Sequence, residues 1–201
     1  MLDTLQRNDE AGAVKPAPAD SQQGLAGIAI LGSHPATVGR APFNDEGWRI
    51  YVCSPHNVEQ RRLPRVTAWF EVHDPLEDPT RAFGYLKAVS EMPFVWMRDK
   101  RALASGHFKG ARPYPDAEMK EKFCPFQFTS SIAYMLAKAI CDCEEQAIPE
   151  IGLFGIMQAS DGEYVYQRPG IQYFIWEATK RSIKVKAPRE SCLFDMPNWK
   201  W

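Results

Sequence analysis

Short, continuous apolar runs bounded by turn residues set the main limit on what this chain can fold into. Five are clear: Ile28–Leu31, Trp48–Cys53, Ala68–Val72, Phe94–Met97 and Ile151–Phe154; a sixth and weaker one is Ile183–Val185. Runs this short, apolar at consecutive rather than alternate positions, suit strands buried on both faces, as in a parallel sheet. Helical patterns lie between some of them. The best is Ser130–Glu145, where Ile132, Met135, Leu136, Ala139 and Ile140 recur at helical spacing behind Thr129 or Ser130 as N-cap. A second is expected from about Gly170 to Arg181, opened by Pro169 and Gly170 and closed by Lys180 and Arg181. A third covers about Pro79–Val89. Strands alternating with helices predict an α/β, three-layer sandwich with a mainly parallel sheet. Ile28–Leu31 and Ile151–Phe154 are expected next to each other or near its centre, because both are apolar on both faces.

Residues 1–24 are polar, carry Pro16 and Pro18, and have no apolar period, which predicts a flexible tail. The folded domain is expected over 25–190, followed by a second tail, 191–201, that holds Trp199 and Trp201. Either tail is an expected contact for a protein partner, and the tryptophans for a second copy of the chain. A formal net charge of −1 argues against a nucleic-acid coat. No apolar run approaches the roughly 20 residues of a membrane span, and the first residues lack the apolar core of a secretory signal. A cytoplasmic location is expected. Five cysteines, an odd number, suit reduced thiols. Cys141 and Cys143 form a C-x-C pair, but residues two apart on a helix face different ways. No second Cys/His cluster has zinc spacing, so ordinary thiols and no metal site are expected.

In open parallel sheets ligands bind outside the carboxyl ends of the strands, so the residues just after each run carry the functional reading. Leu31 is followed by Gly32, Ser33, His34 and Pro35. A glycine there permits a tight turn and close backbone approach to a ligand. The dinucleotide fingerprint and the P-loop are both absent, so neither NAD nor Walker-type phosphate binding is supported. Ser54 follows the second run. At the third, Glu71 and His73 share a strand face at period two and read as an acid/base pair, with a surface contact as the competing reading. Thr129 and Ser130 lead into the long helix, as an anion or ribose site or as plain caps. Gly155 follows the fifth run, and Tyr164, Tyr166, Gln167 and Arg168 precede Pro169 and Gly170. Tyrosine hydroxyls and a guanidinium beside a helix start suit a phosphate; a loop closed by Arg168 on Asp161 or Glu163 is the alternative. Residues 98–128 read as irregular. Five Lys/Arg against one Asp between Arg98 and Arg112 suggest either a solvated loop or a lid over an anionic ligand.

The order of these motifs (G-S-H-P, Cys-Ser, T-S-S before a helix, G-I, and Y-V-Y-Q-R-P-G) resembles a set of small phage-encoded Rossmann-like proteins. More distantly, residues 27–186 are similar to bacterial CMP-sialic-acid sialyltransferases and to the archaeal 6-hydroxymethylpterin diphosphokinase-like family. The resemblance implies a Rossmann-like fold and, for a phage protein, the host cytoplasm. It implies that Gly32 and Ser33 approach a nucleotide, that Ser54 meets its base, and that Thr129 and Ser130 stand beside the sugar–nucleotide. Gly155 would lie beneath the nucleotide, and Tyr164 or Tyr166 would stabilise a departing phosphate. Two departures stand out: Ser33 replaces the family's usual Asn, and no His follows His107, where the family carries its base. The expected function is a nucleotide- or nucleotide-sugar-dependent, glycosyltransferase-like transferase. His73, Glu71 and Tyr166 would be its catalytic groups; Gly32, Ser33, His34, Ser54, Thr129, Ser130, Gly155, Tyr164, Gln167 and Arg168 would bind the nucleotide. No cofactor beyond that ligand is called for. The alternatives are a non-catalytic protein that captures a nucleotide or nucleotide-derived signal, and a structural protein that kept the fold.

Overall fold

The first strand, β1 (Gly27–Leu31), is buried along its whole length, and its side chains alternate between two cores. Ile28 and Ile30 enter one and Ala29 and Leu31 the other, which is why every position in the run is apolar. β1 is flanked by β2 (Trp48–Val52) and β6 (Glu150–Phe154), both parallel to it, with Leu31 level with Val52 on one side and Phe154 on the other. The two runs expected next to each other or near the centre are therefore hydrogen-bonded neighbours. This computed structural model describes residues 24–54, 57, 63–76, 83–157 and 163–194.

The sheet is completed by β3 (Ala68–Glu71), β4 (Val95–Met97), β5 (Ala111–Pro113) and β7 (Lys184–Lys186). All seven strands are parallel, in the order β5-β4-β3-β2-β1-β6-β7. One face carries α1 (Pro35–Val38), α2 (Phe83–Ser90) and α3 (Lys100–Ala104), through Val38, Tyr85, Val89 and Ala102. The other carries α4 (Asp116–Lys122), α5 (Ser131–Gln146) and α6 (Glu163–Lys180), through Met119, a row of α5 residues, and Ile171 and Phe174. The result is a Rossmann-like three-layer sandwich. Fully buried Trp69, Phe70 and Phe174 each contribute about 1.5–3 kcal/mol of burial free energy.

The chain crosses to β5 with its described helices on the first face, then returns to β6 by α4 and α5 on the second. The strand order thus reverses at β1, whose following helix lies on one face while the helix after β6 lies on the other. Ser130 caps α5 as expected, its hydroxyl accepting from the Ala133 N–H at 3.2 Å.

Three expectations are corrected. Residues 98–128 are not irregular: they hold α3, β5, α4 and a 3-10 turn, Pro125–Gln127. β5 escapes pattern reading because it is a three-residue edge strand containing Arg112 and Pro113. Second, α6 begins at Glu163, seven residues before Gly170, so Pro169 lies inside the helix. Third, the folded body runs past 190. Ser191 and Leu193 are buried, and the Leu193 carbonyl accepts from Gln172 Nε2 at 2.9 Å. Residues 1–23 and 195–201, with Trp199 and Trp201, lie outside the described residues. Among the described residues no helix is long and apolar enough to cross a membrane.

Candidate functional site

At the reversal point the loops after β1 and β6 are stitched to each other. The Gly32 N–H donates to the Phe154 carbonyl at 2.9 Å and the His34 N–H to the Gly155 carbonyl at 2.8 Å. The Gly155 N–H donates to Thr37 Oγ1 at 2.9 Å. A Cβ on Gly32 would lie 2.4 Å from the Gly155 oxygen, and one on Gly155, whose φ is +64°, 2.6 Å from the Gly32 oxygen. Both glycines are thus explained by this closure of backbone on backbone. His34 Nδ1 accepts from the Ala36 N–H at 3.3 Å and caps α1. Ser54, after β2, adopts φ +84°, the left-handed region that L-residues seldom occupy. Two residues that pattern reading missed hold this edge together. Thr37 is fully buried under Gly155, and buried Asn57 donates through Nδ2 to the Gly32 and Cys53 carbonyls at 3.0 and 2.7 Å. Their only sequence signal is a polar residue close behind an apolar run.

Thr129 and Gln167 do come together: the threonine hydroxyl donates to the Gln167 carbonyl at 3.2 Å. Gly170 makes that approach feasible, since a Cβ there would sit 2.3 Å from Thr129 Oγ1. Because α6 already runs through them, Tyr166 to Gly170 belong to the helix rather than to a loop at a helix start. Tyr166 is 80% exposed and Arg168 is half-buried. The side chain of Tyr164, like Asp161 and that of Glu163, lies outside the described residues. Ser130 is occupied as the α5 cap.

Glu71 and His73 part company. β3 ends at Glu71, so the two-residue period does not carry to position 73. The Glu71 carboxylate is buried on the α2 face, where the Tyr85 hydroxyl donates to it and Trp69 Nε1 donates to Tyr85 Oη at 3.3 Å. It touches position 73 through the backbone, accepting from the His73 N–H at 3.3 Å. The exposed His73 ring reaches the opposite layer, where Nε2 lies 3.5 Å from Ser131 Oγ at the start of α5.

His73 also lines a cavity of about 600 Å³ at the carboxyl ends of β3, β4 and β5, together with Asp74, Arg98, Lys100, Arg101 and Tyr114. Of the basic stretch noted in the sequence, Arg98, Lys100 and Arg101 line this cavity, and Lys109 and Arg112 do not. Arg101 pairs with Asp74. Arg98 Nε meets Asp116 Oδ1 at 3.0 Å, and its guanidinium lies 5.0 Å from the centre of the Tyr134 ring. Lys120 shares Asp116 at 2.6 Å. Asp99 caps α3 by accepting from the Ala102 N–H at 2.8 Å. Among the described residues the Lys100 ammonium has no ion-pair partner. Burial pushes the Tyr114 phenol above its ordinary range, so it is a neutral donor, and it donates to the Tyr134 carbonyl at 2.8 Å. The cavity joins residues far apart in the chain, so nothing in local patterning reveals it.

No family model matches this chain, and no curated protein or solved structure is significantly similar to it.

Proposed function

We propose that this protein binds a small phosphorylated ligand of the nucleotide class in the cavity beyond β3, β4 and β5. The observation that carries the reading is Lys100, a cation without a carboxylate partner among the described residues, set beside Arg98 and Arg101 in a cavity at the carboxyl edge of an all-parallel sheet. That edge is where such sheets hold ligands. A volume near 600 Å³ falls within the roughly 300–1,000 Å³ range of small-molecule sites. Arg98 and Arg101 are held in place by Asp116 and Asp74, so a phosphate meets donors already oriented. Binding is favoured over transfer to a sugar acceptor. The transferase reading needs Glu71 and His73 to act on one cleft, whereas the Glu71 carboxylate is engaged with Tyr85 in the opposite layer.

Calorimetric titration with ATP, CMP and UDP-glucose tests this. Lys100→Gln is expected to weaken binding roughly 10- to 150-fold, the value of one charge-assisted contact of about 1.5–3 kcal/mol. Absence of binding by all three, or equal affinity in Lys100→Gln, overturns the reading.

A further inference from the structure

We infer that Ser131 and His73 form a nucleophile–base pair able to accept an acyl group from an ester, an activity separate from nucleotide binding. Three observations carry this. First, the Ser131 hydroxyl is not needed to cap its helix, because Ser130 does so. Its partner is instead His73 Nε2, at 3.5 Å, from a loop 58 residues away in the chain. With Nε2 unprotonated, the hydroxyl donates to it, which is the ground-state arrangement of a serine awaiting a base. Second, the backbone N–H groups of Ser131 and Ile132 donate to no acceptor among the described residues. The N–H of a nucleophile and of the residue after it are suitably placed donors for an oxyanion. Third, His73, whose ring faces Ser131, is itself a lining residue of the 600 Å³ cavity, so the base of the pair borders open space. Glu71 acts as a positioning residue, since its carboxylate accepts from the His73 backbone N–H and anchors the turn that carries the ring.

The step balances with ester and water alone. Ser131 Oγ bonds to the carbonyl carbon as its proton passes to His73 Nε2. The carbonyl electron pair moves to oxygen, facing the two amides. Collapse breaks the bond to the leaving oxygen, which takes the proton back from His73. Water, deprotonated by His73, then releases the carboxylic acid and restores the serine. The substrate class is a carboxylic ester; the cavity beside His73 is lined by Arg98, Lys100 and Arg101 and equally by Asp74, Asp99 and Asp116, so it selects neither sign of charge.

The full-length protein treated with p-nitrophenyl acetate is expected to carry its acetyl group on Ser131, located by peptide mass spectrometry. Acylation should slow about a hundredfold or more in His73→Gln, the usual contribution of a general base. Ser131→Cys should remain acylated at position 131, whereas Ser131→Ala should lose that adduct. Acetyl groups found only on lysine, tyrosine or cysteine of the wild-type protein overturn the inference, as does an unchanged rate in His73→Gln. The wild-type adduct decides the matter even where a variant folds poorly. Nucleotide titration reads the binding proposal independently, so either reading can fail without the other.

Discussion

Gly32→Ala separates two meanings of the glycine that follows β1. If Gly32 is there to let a phosphate approach the backbone, alanine removes the ligand and leaves the fold intact. The geometry predicts the reverse. The new methyl carbon would stand 2.4 Å from the Gly155 carbonyl oxygen, and 3.1 Å from both its carbon and Ile156 Cγ1. The nearest obstacle is backbone, and Gly155 itself holds φ +64°, so no rotamer change makes room. Relief requires the β1 and β6 loops to part, stretching the Gly32–Phe154 and His34–Gly155 hydrogen bonds of 2.9 and 2.8 Å. Overpacking costs about 1–3 kcal/mol and each weakened bond about 1 kcal/mol, so the loss is about 3–5 kcal/mol. For a chain of this size each kcal/mol is about 2–4 °C in melting temperature, giving a fall of roughly 6–20 °C. Gly84→Ala, in α2, is the control. A Cβ there meets nothing within 4 Å, and the change should raise stability by about 0.4–1 kcal/mol. Thermal melts followed by circular dichroism read both. A Gly32→Ala protein that melts with the wild type but no longer binds nucleotide would refute the packing argument.

Further outcomes follow from the buried polar groups. Asp142, 4% exposed, pairs with Lys138 and accepts from Tyr51 Oη at 2.6 Å, so Lys138→Met should cost about 3–5 kcal/mol by urea denaturation. The double change Lys138→Met with Asp142→Leu should recover most of that loss, because no charge is then left buried. At Glu177 burial opposes ionisation, but the bonds from Arg181 and Lys180 prevail and hold the carboxyl below its ordinary 4.5. A depressed carboxyl contributes stability that is full above 4.5 and lost as pH falls through its folded value. Glu177→Gln should therefore be destabilising in urea at pH 7, by a margin that narrows as the pH falls below 4.5. Burial pushes the Cys143 thiol up to about 12 and raises Cys141 as well, whereas Cys124 and Cys192 are partly exposed. Iodoacetamide at about pH 8 should label Cys124 and Cys192 in the native protein and spare Cys141 and Cys143, with all reacting in denaturant.

Local sequence was enough to determine the elements whose stabilisation is local or symmetric. Ile28–Leu31 and Ile151–Phe154 lack polar side chains because both sides of a central strand are buried, and this places both near the middle of a parallel sheet; that they pair is read from the structure. The α5 apolar spacing and its Ser130 cap are likewise contained within one segment. Tertiary structure decided what depends on where an element stops and what stands opposite it. β3 ends at Glu71, and that boundary turns the carboxylate toward Tyr85 while His73 reaches Ser131. β5 exists because β4 offers a free edge, not because Ala111–Pro113 favours a strand. Pro169 and Gly170 read locally as a helix start, yet α6 extends through them, and the missing Cβ of Gly170 admits Thr129. The cavity has the same origin: Arg98, Lys100 and Arg101 are a basic run in the sequence, and only the parallel alignment of three strand ends brings them round a common space with His73. Side-chain periodicity is fixed by backbone geometry within a segment, whereas facing partners are set by contacts between segments, which no local period encodes.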